Sequence, residues 1–62
     1  MTTQERINEI KENLLWMADR PGVSVAAAYD DPHYNKHTLF TTRTRKEFNE
    51  RITKYAEEHP VE

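Results

Sequence analysis

The 62-residue chain contains no cysteine, so neither a disulfide bond nor a thiolate zinc site can stabilise it. Its single glycine, Gly22, leaves no glycine-rich loop to hold a nucleotide phosphate. The longest apolar runs, LLWMA and VAAAY, are far shorter than the roughly 20 residues that span a bilayer. The polar stretch MTTQERINEIKEN also lacks the apolar region of a signal peptide. These absences predict a soluble, cytoplasmic protein without membrane association.

The chain also has little material for a hydrophobic core. Hydrophobic residues make up 35% of it and charged residues 32%, and a domain of this size buries only about 60% of its unfolded surface. Residues 1–62 are therefore expected to form one small domain with little concave interior. No serine-hydrolase, Walker or cysteine-nucleophile motif is present. We expect neither enzymatic activity nor a cofactor.

The first predicted element is a helix over about residues 3–19. It starts at a capping box, TTQE, in which a threonine hydroxyl and a glutamate satisfy free amide groups of the first turn. Arg20-Pro21-Gly22 ends it, because the residue before proline avoids the helical conformation. The apolar residues of one helical face follow the capping box at Ile7, Ile10, Leu14, Met17 and Ala18.

A β-hairpin and a second helix are predicted to follow. Residues 23–29 alternate larger and smaller side chains from a β-branched start, although their alanines would also suit a helix, and residues 37–43 are rich in threonine. The loop 30–36 between them is too short for a parallel crossover. A second capping-box pattern, TRKE, starts a helix over about residues 44–58. The predicted fold is α+β, in the order α-β-β-α, with an antiparallel hairpin packed on two helices.

A hairpin of two strands is only marginally stable by itself, and its unpaired edges can accept another strand. The sequence therefore predicts a homodimer in which two chains join their edges. The product would be a four-stranded sheet covered by four helices.

The predicted hairpin loop has the sequence YDDPHYNKH, which concentrates carboxylates, imidazoles and phenols. His33 and His37 have the i, i+4 spacing of a helical zinc site, so metal binding by residues 30–37 is one candidate function. Pro32 and the Asn35-Lys36 pair, however, indicate a turn without the helix that this spacing requires. A solvent-exposed turn is the simpler interpretation.

The charges are unevenly distributed, although the net charge is only −2. Residues 33–54 carry six basic and two acidic groups, whereas residues 1–32 carry three basic and six acidic groups. Within the basic segment 36–54, Glu47 and Glu50 stand four residues before Arg51 and Lys54 and partly neutralise the second helix. Binding of nucleic acid or of a nucleotide phosphate is the alternative function, with four candidate residues: Lys36, Arg43, Arg45 and Lys46.

The only tryptophan, Trp16, is the third feature of interest. At about 100° per residue it lies about 180° from Ile7 on the predicted helix, away from the apolar face, with Leu15 beside it. An off-core tryptophan is a typical hot spot of protein interfaces. The hairpin tip offers a second contact surface, so the predicted partner-binding residues are Trp16, Leu15, His33, Tyr34 and Lys36.

These observations favour a small non-enzymatic regulator or inhibitor that binds another protein. Its size, acidity and lack of cysteine are similar to those of phage-encoded inhibitors of host proteins. The predicted partners are thus another protein and a second copy of the chain, with nucleic acid as the alternative.

Overall fold

The computed structural model describes all 62 residues and shows an α+β fold, which confirms the predicted class. Three antiparallel strands form one sheet in the order β1-β2-β3. The element order is α-β-β-β-α, so the predicted α-β-β-α order lacks one strand. The elements are α1 (Thr3–Glu12), β1 (Leu15–Arg20), β2 (Ser24–Asp31), β3 (Lys36–Thr42) and α2 (Arg45–Glu58).

The prediction of a first helix to residue 19 is wrong beyond Glu12. Asn13 caps the helix in a non-helical conformation, and its amide donates a hydrogen bond to the carbonyl of Ile10. Leu15–Arg20 then pairs with β2 as a strand. Pairing with β2 outweighs the local preference of this segment for a helix. The helical spacing of Leu14, Met17 and Ala18 therefore does not indicate a helix here.

The start of α1 has the predicted capping box in full, and the start of α2 has only its threonine half. Thr2 Oγ1 accepts a hydrogen bond from the amide of Glu5, and the Glu5 carboxylate accepts one from the amide of Thr2. Thr44 Oγ1 likewise accepts from the amide of Glu47 at the start of α2. Side-chain acceptors at these positions satisfy amide groups that the first helical turn leaves free.

The β2–β3 hairpin is confirmed, with strands slightly displaced from the predicted 23–29 and 37–43. Its turn is limited to residues 32–35, because Asp31 already pairs with Lys36. Asn35 has a φ of 50°, a left-handed conformation that asparagine tolerates better than most residues.

Alternate residues of β2 lie on opposite faces of the sheet, and both helices cover the same face. Val25, Ala27 and Tyr29 point to the helices and are fully buried. Phe40 of β3, the register partner of Ala27, completes the strand contribution to this core. The helices supply the rest of the core: Ile7, Ile10, Phe48, Ile52, Tyr55 and Ala56.

The third strand changes the basis of the predicted homodimer. Three strands with a helix-covered face need no second chain for completion. Joining strand edges would now give six strands and not the predicted four. The β1 edge is also interrupted by a bulge between Trp16 and Ala18, a feature that discourages further strand pairing.

Candidate functional site

Strand β1 exposes three consecutive large apolar side chains. Leu15 is 56% exposed, Trp16 49% and Met17 67%. They lie on an edge strand, where only one side has a neighbouring strand. Such residues are candidates for protein contact, and the side of the sheet on which each one lies decides which of them can contact the same partner.

Trp16 lies on the helix-facing side of β1, because its register partner Ala27 points to the core. Its indole stacks on Phe48 with ring centroids 5.0 Å apart and planes inclined by 27°. The exposed half of the indole forms one wall of a cleft of about 210 Å³, which we call the Trp16 cleft. It is lined by Lys11, Leu14, Trp16, Arg45, Phe48 and Asn49.

The Trp16 cleft combines an apolar floor with a basic rim. Lys11 forms no ion pair, whereas Arg45 pairs with Asp19 at the other end of β1. A ligand side chain in the cleft would therefore meet aromatic surface and a free ammonium group.

Leu15 points to the opposite side of the sheet from Trp16. Its register partner Ala28 alternates with the core residues of β2 and faces away from both helices. The two predicted interface residues are thus adjacent in sequence, but they belong to different surfaces.

Asp31, from the predicted hairpin loop, belongs to a buried network of charged and polar groups and not to an exposed binding site. The carboxylate of Asp31 accepts hydrogen bonds from Arg6, from the Tyr55 hydroxyl (2.8 Å) and from the amide of His33 (2.9 Å). Arg6 is only 1% exposed and Asp31 2%. Arg6 also donates to the Tyr29 hydroxyl, and we call these groups the Arg6–Asp31 network.

Arg6 carries two further contacts that tie the chain ends together. It donates to the carbonyl of His59 (3.0 Å) after α2 and to the carboxylate of Glu9 (2.9 Å) in α1. The network therefore joins α1, the end of β2 and the carboxyl end of α2. Its satisfied donors and acceptors indicate a structural role.

The pKa of Asp31 reflects competing effects. Burial acts to raise it, but hydrogen bonds from Tyr55, Arg6 and the amide of His33 outweigh burial and hold the pKa below its ordinary value. Burial together with the hydrogen bond to Asp31 raises the pKa of Tyr55 to about 12. The hydrogen bond with His33 and the contact with Arg6 lower the pKa of Glu9, although its slight burial opposes them.

We expect the free energy of unfolding to fall steeply in acid. Because the folded-state pKa of Asp31 and Glu9 is lowered, unfolded chains take up these protons first as the pH falls. The stabilisation is therefore complete well above pH 4.5, is lost progressively below it, and is gone below the folded-state pKa values. Urea denaturation followed by circular dichroism at several pH values measures this. A urea midpoint that is unchanged down to about pH 3 would contradict it.

The three predicted contact residues of the hairpin tip are each engaged within the molecule. His33 Nε2 lies 3.0 Å from the Glu9 carboxylate. The Tyr34 hydroxyl donates to the carbonyl of Pro60, although 44% of Tyr34 remains exposed. Lys36 places its Nζ 5.9 Å from the ring centroid of Tyr55. The tip is thus fastened to α1 and to the carboxyl end of the chain.

The two histidines of the metal hypothesis lie on opposite sides of the sheet. His33 contacts Glu9 of α1 on the helix-covered side, whereas His37 pairs with Asp30 on the uncovered side. The structure brings together no group of three or more residues that could hold a metal ion. The i, i+4 spacing of His33 and His37 therefore does not bring the two imidazoles together.

The structure likewise separates the candidate phosphate ligands. Arg43, Arg45 and Lys46 lie at the start of α2, whereas Lys36 begins β3. The seven-residue strand β3, which begins at Lys36, separates the two positions by roughly 20 Å. One phosphate group cannot contact both ends, although an extended polyanion could.

Sequence reasoning missed the Arg6–Asp31 network, although a signal was present. Asp31 continues the alternation of Val25, Ala27 and Tyr29, so it occupies a core position of β2. Arg6 precedes the core residue Ile10 by four positions and lies on the same side of α1. A carboxylate and a guanidinium at core positions predict a mutual ion pair.

Comparisons with protein-family models, with curated proteins and with solved structures find no match to this chain. Neither helix is long and apolar enough to cross a membrane. The functional proposal therefore depends on the surfaces described above.

Proposed function

We propose that the protein is a small non-enzymatic regulator or inhibitor that binds another protein through β1 and the Trp16 cleft. The supporting observation is that Trp16, about half exposed on the edge strand β1, forms the aromatic wall of a cleft. Half-exposed tryptophan next to a concave surface is typical of interface hot spots.

The cleft also indicates what the partner would present. Its apolar lining at Leu14, Trp16 and Phe48 suits an aliphatic or aromatic side chain. The unpaired Lys11 on the rim suits an adjacent carboxylate. We therefore expect a partner segment that combines an apolar anchor with an acidic residue.

A non-catalytic role is supported by the state of the buried ionisable groups. Arg6 and Asp31 form hydrogen bonds with each other and with neighbouring groups. Neither of them lines the Trp16 cleft, which contains no carboxylate or histidine. A cytoplasmic location fits such a binding protein and remains a prediction.

Affinity capture from cytoplasmic extract tests this function. Immobilised wild-type protein should retain a specific protein that a Trp16→Ala variant does not retain. The matched control is Asn8→Ala, an exposed position on the solvent side of α1. Equal retention by folded wild-type and Trp16→Ala protein would contradict the proposed surface.

A second candidate function is binding of nucleic acid or of a nucleotide phosphate at the start of α2. It is favoured by one observation: Arg43 and Lys46 form no ion pair in the structure. Free cations beside the amino end of a helix are suited to phosphate.

If this second function holds, binding should weaken strongly with salt. Two phosphate contacts, by Arg43 and Lys46, would give a slope of log affinity against log salt of about −2 on duplex DNA. Fluorescence anisotropy with labelled DNA and RNA at increasing salt measures it, and an Arg43→Gln/Lys46→Gln variant should abolish it. No binding at low salt would exclude this function.

A further inference from the structure

The face of the sheet that the helices leave uncovered is apolar in its middle. We call it the open face; its strand residues are Leu15, Ala18, Arg20, Ser24, Ala26, Ala28, Asp30, His37, Leu39 and Thr41. Antiparallel sheets with one solvated face normally carry polar residues there. Here the middle of the face contains no charge, and Leu15 and Leu39 are each about half exposed.

The middle of the open face consists of two rows that run across the strands. Register places Leu15, Ala28 and Leu39 side by side in the first row. The second row contains Ala18, Ala26 and Thr41. A row with two large side chains therefore lies next to a row of small ones.

The two ends of the open face differ in charge. Asp30 and His37 form a pair at the end next to the leucine row. Arg20, opposite Ser24, lies at the end next to the alanine row. Asp30 and Arg20 are both exposed, and Arg20 forms no ion pair.

We propose that the open face binds a second copy of this chain, face to face, with the strands of the two sheets running in opposite directions. A two-fold axis across the strands, between the rows of Ala28 and Ala26, sets the leucine row of each copy against the small row of the other. The same rotation brings Asp30 of each copy over Ser24 of the other copy, one strand away from its Arg20. Such an isologous contact is complementary in both shape and charge.

The alternative face-to-face arrangement is less favourable. A two-fold axis along the strands would set Ala28 on Ala28 and Asp30 on Asp30. The first contact leaves a gap between the sheets, and the second opposes two like charges. The distribution of residues on the open face therefore selects the antiparallel arrangement.

The size of the open face indicates a weak dimer. Three strands of six to eight residues present roughly 350 Å² per copy, or about 700 Å² in total. Stable complexes bury about 1,200–2,000 Å². We therefore expect dimers at high micromolar concentrations and monomers under dilute conditions.

Sedimentation velocity over a concentration series to about 1 mM tests this proposal. Wild-type protein should shift from monomer to dimer, and Ala28→Lys, in the central strand, should remain monomeric. Asn8→Lys, which adds the same charge to the exposed side of α1, should dimerise like wild type. A wild-type protein that is monomeric throughout, or a dimer that tolerates Ala28→Lys, would overturn the proposal; the latter would place the contact at a strand edge.

Charge exchange provides a second test at positions that are exposed and tolerate substitution. Asp30→Arg and Arg20→Asp should each weaken dimerisation, and the doubly exchanged chain should recover it. Additive weakening in the double variant would overturn the antiparallel arrangement. Because Trp16 lies on the other side of the sheet, Trp16→Ala should leave dimerisation unchanged, so this proposal and the proposed function fail independently.

Discussion

Replacement of Arg6 by methionine is expected to lower the free energy of unfolding by about 3–5 kcal/mol. Methionine keeps the apolar stem but removes the guanidinium, which leaves the buried Asp31 carboxylate without its cation. It also removes donors to Tyr29 and to the carbonyl of His59. Folded chains of this length have a total stability of about 3–9 kcal/mol. Much of the Arg6→Met protein should therefore be unfolded at room temperature.

Urea denaturation followed by circular dichroism measures this loss, and a second ion pair provides the control. Arg45 pairs with Asp19 at exposed positions, so Arg45→Met should cost less than about 1 kcal/mol. Equal losses for Arg6→Met and Arg45→Met would show that the Arg6–Asp31 network does not stabilise the fold.

Replacement of Trp16 by alanine should weaken partner binding by at least about 2 kcal/mol, or roughly 30-fold in Kd. The indole supplies the aromatic wall of the Trp16 cleft and about half of its surface is free to contact a partner. Calorimetric titration with the captured partner measures the change. An unchanged Kd in a folded variant would contradict the proposed function.

Loss of the stacking contact with Phe48 also costs the Trp16→Ala variant some stability. A charge reversal on the rim of the cleft avoids this problem, since Lys11 is exposed and outside the core. Lys11→Glu should weaken the binding of a partner that carries a carboxylate, whereas Lys46→Glu, on α2 outside the cleft, should not. Equal effects of the two charge reversals would indicate general electrostatic attraction.

The parts of the fold that local chemistry determines could be predicted from the sequence. Thr2 and Thr44 mark the helix starts because their hydroxyls must satisfy free amides. The β2–β3 hairpin follows from β-branched runs around a turn with Pro32 and Asn35. These signals act over a few residues, so one sequence is sufficient to interpret them.

Strand β1 could not be predicted in the same way, because its conformation depends on a distant segment. LLWMA fits a helix locally, and only pairing with β2 and stacking of Trp16 on Phe48 make it a strand. The helical wheel that selected Trp16 does not apply to it, and its role as a partner residue stays a prediction. Trp16 lies in a strand, and the alternation of side chains along that strand decides which side of the sheet it occupies.

In the candidate site, too, local features could be predicted from the sequence and features that depend on distant residues could not. Leu15 and Trp16 could be selected for their size and position, but their separation onto two faces follows from strand alternation. The loop residues His33 and Tyr34 looked free because their partners, Glu9 and Pro60, are remote in sequence. Arg6 escaped notice because its partner Asp31 is 25 positions away.

Chemical-shift mapping tests the central claim most directly, namely that the protein acts through β1 and the Trp16 cleft. Amide spectra of isotopically labelled protein would be recorded with and without the captured partner. We expect the largest changes at Trp16, Met17, Lys11 and Asn49. Changes concentrated at residues 32–36 or in the first turn of α2, with β1 unmoved, would contradict the claim.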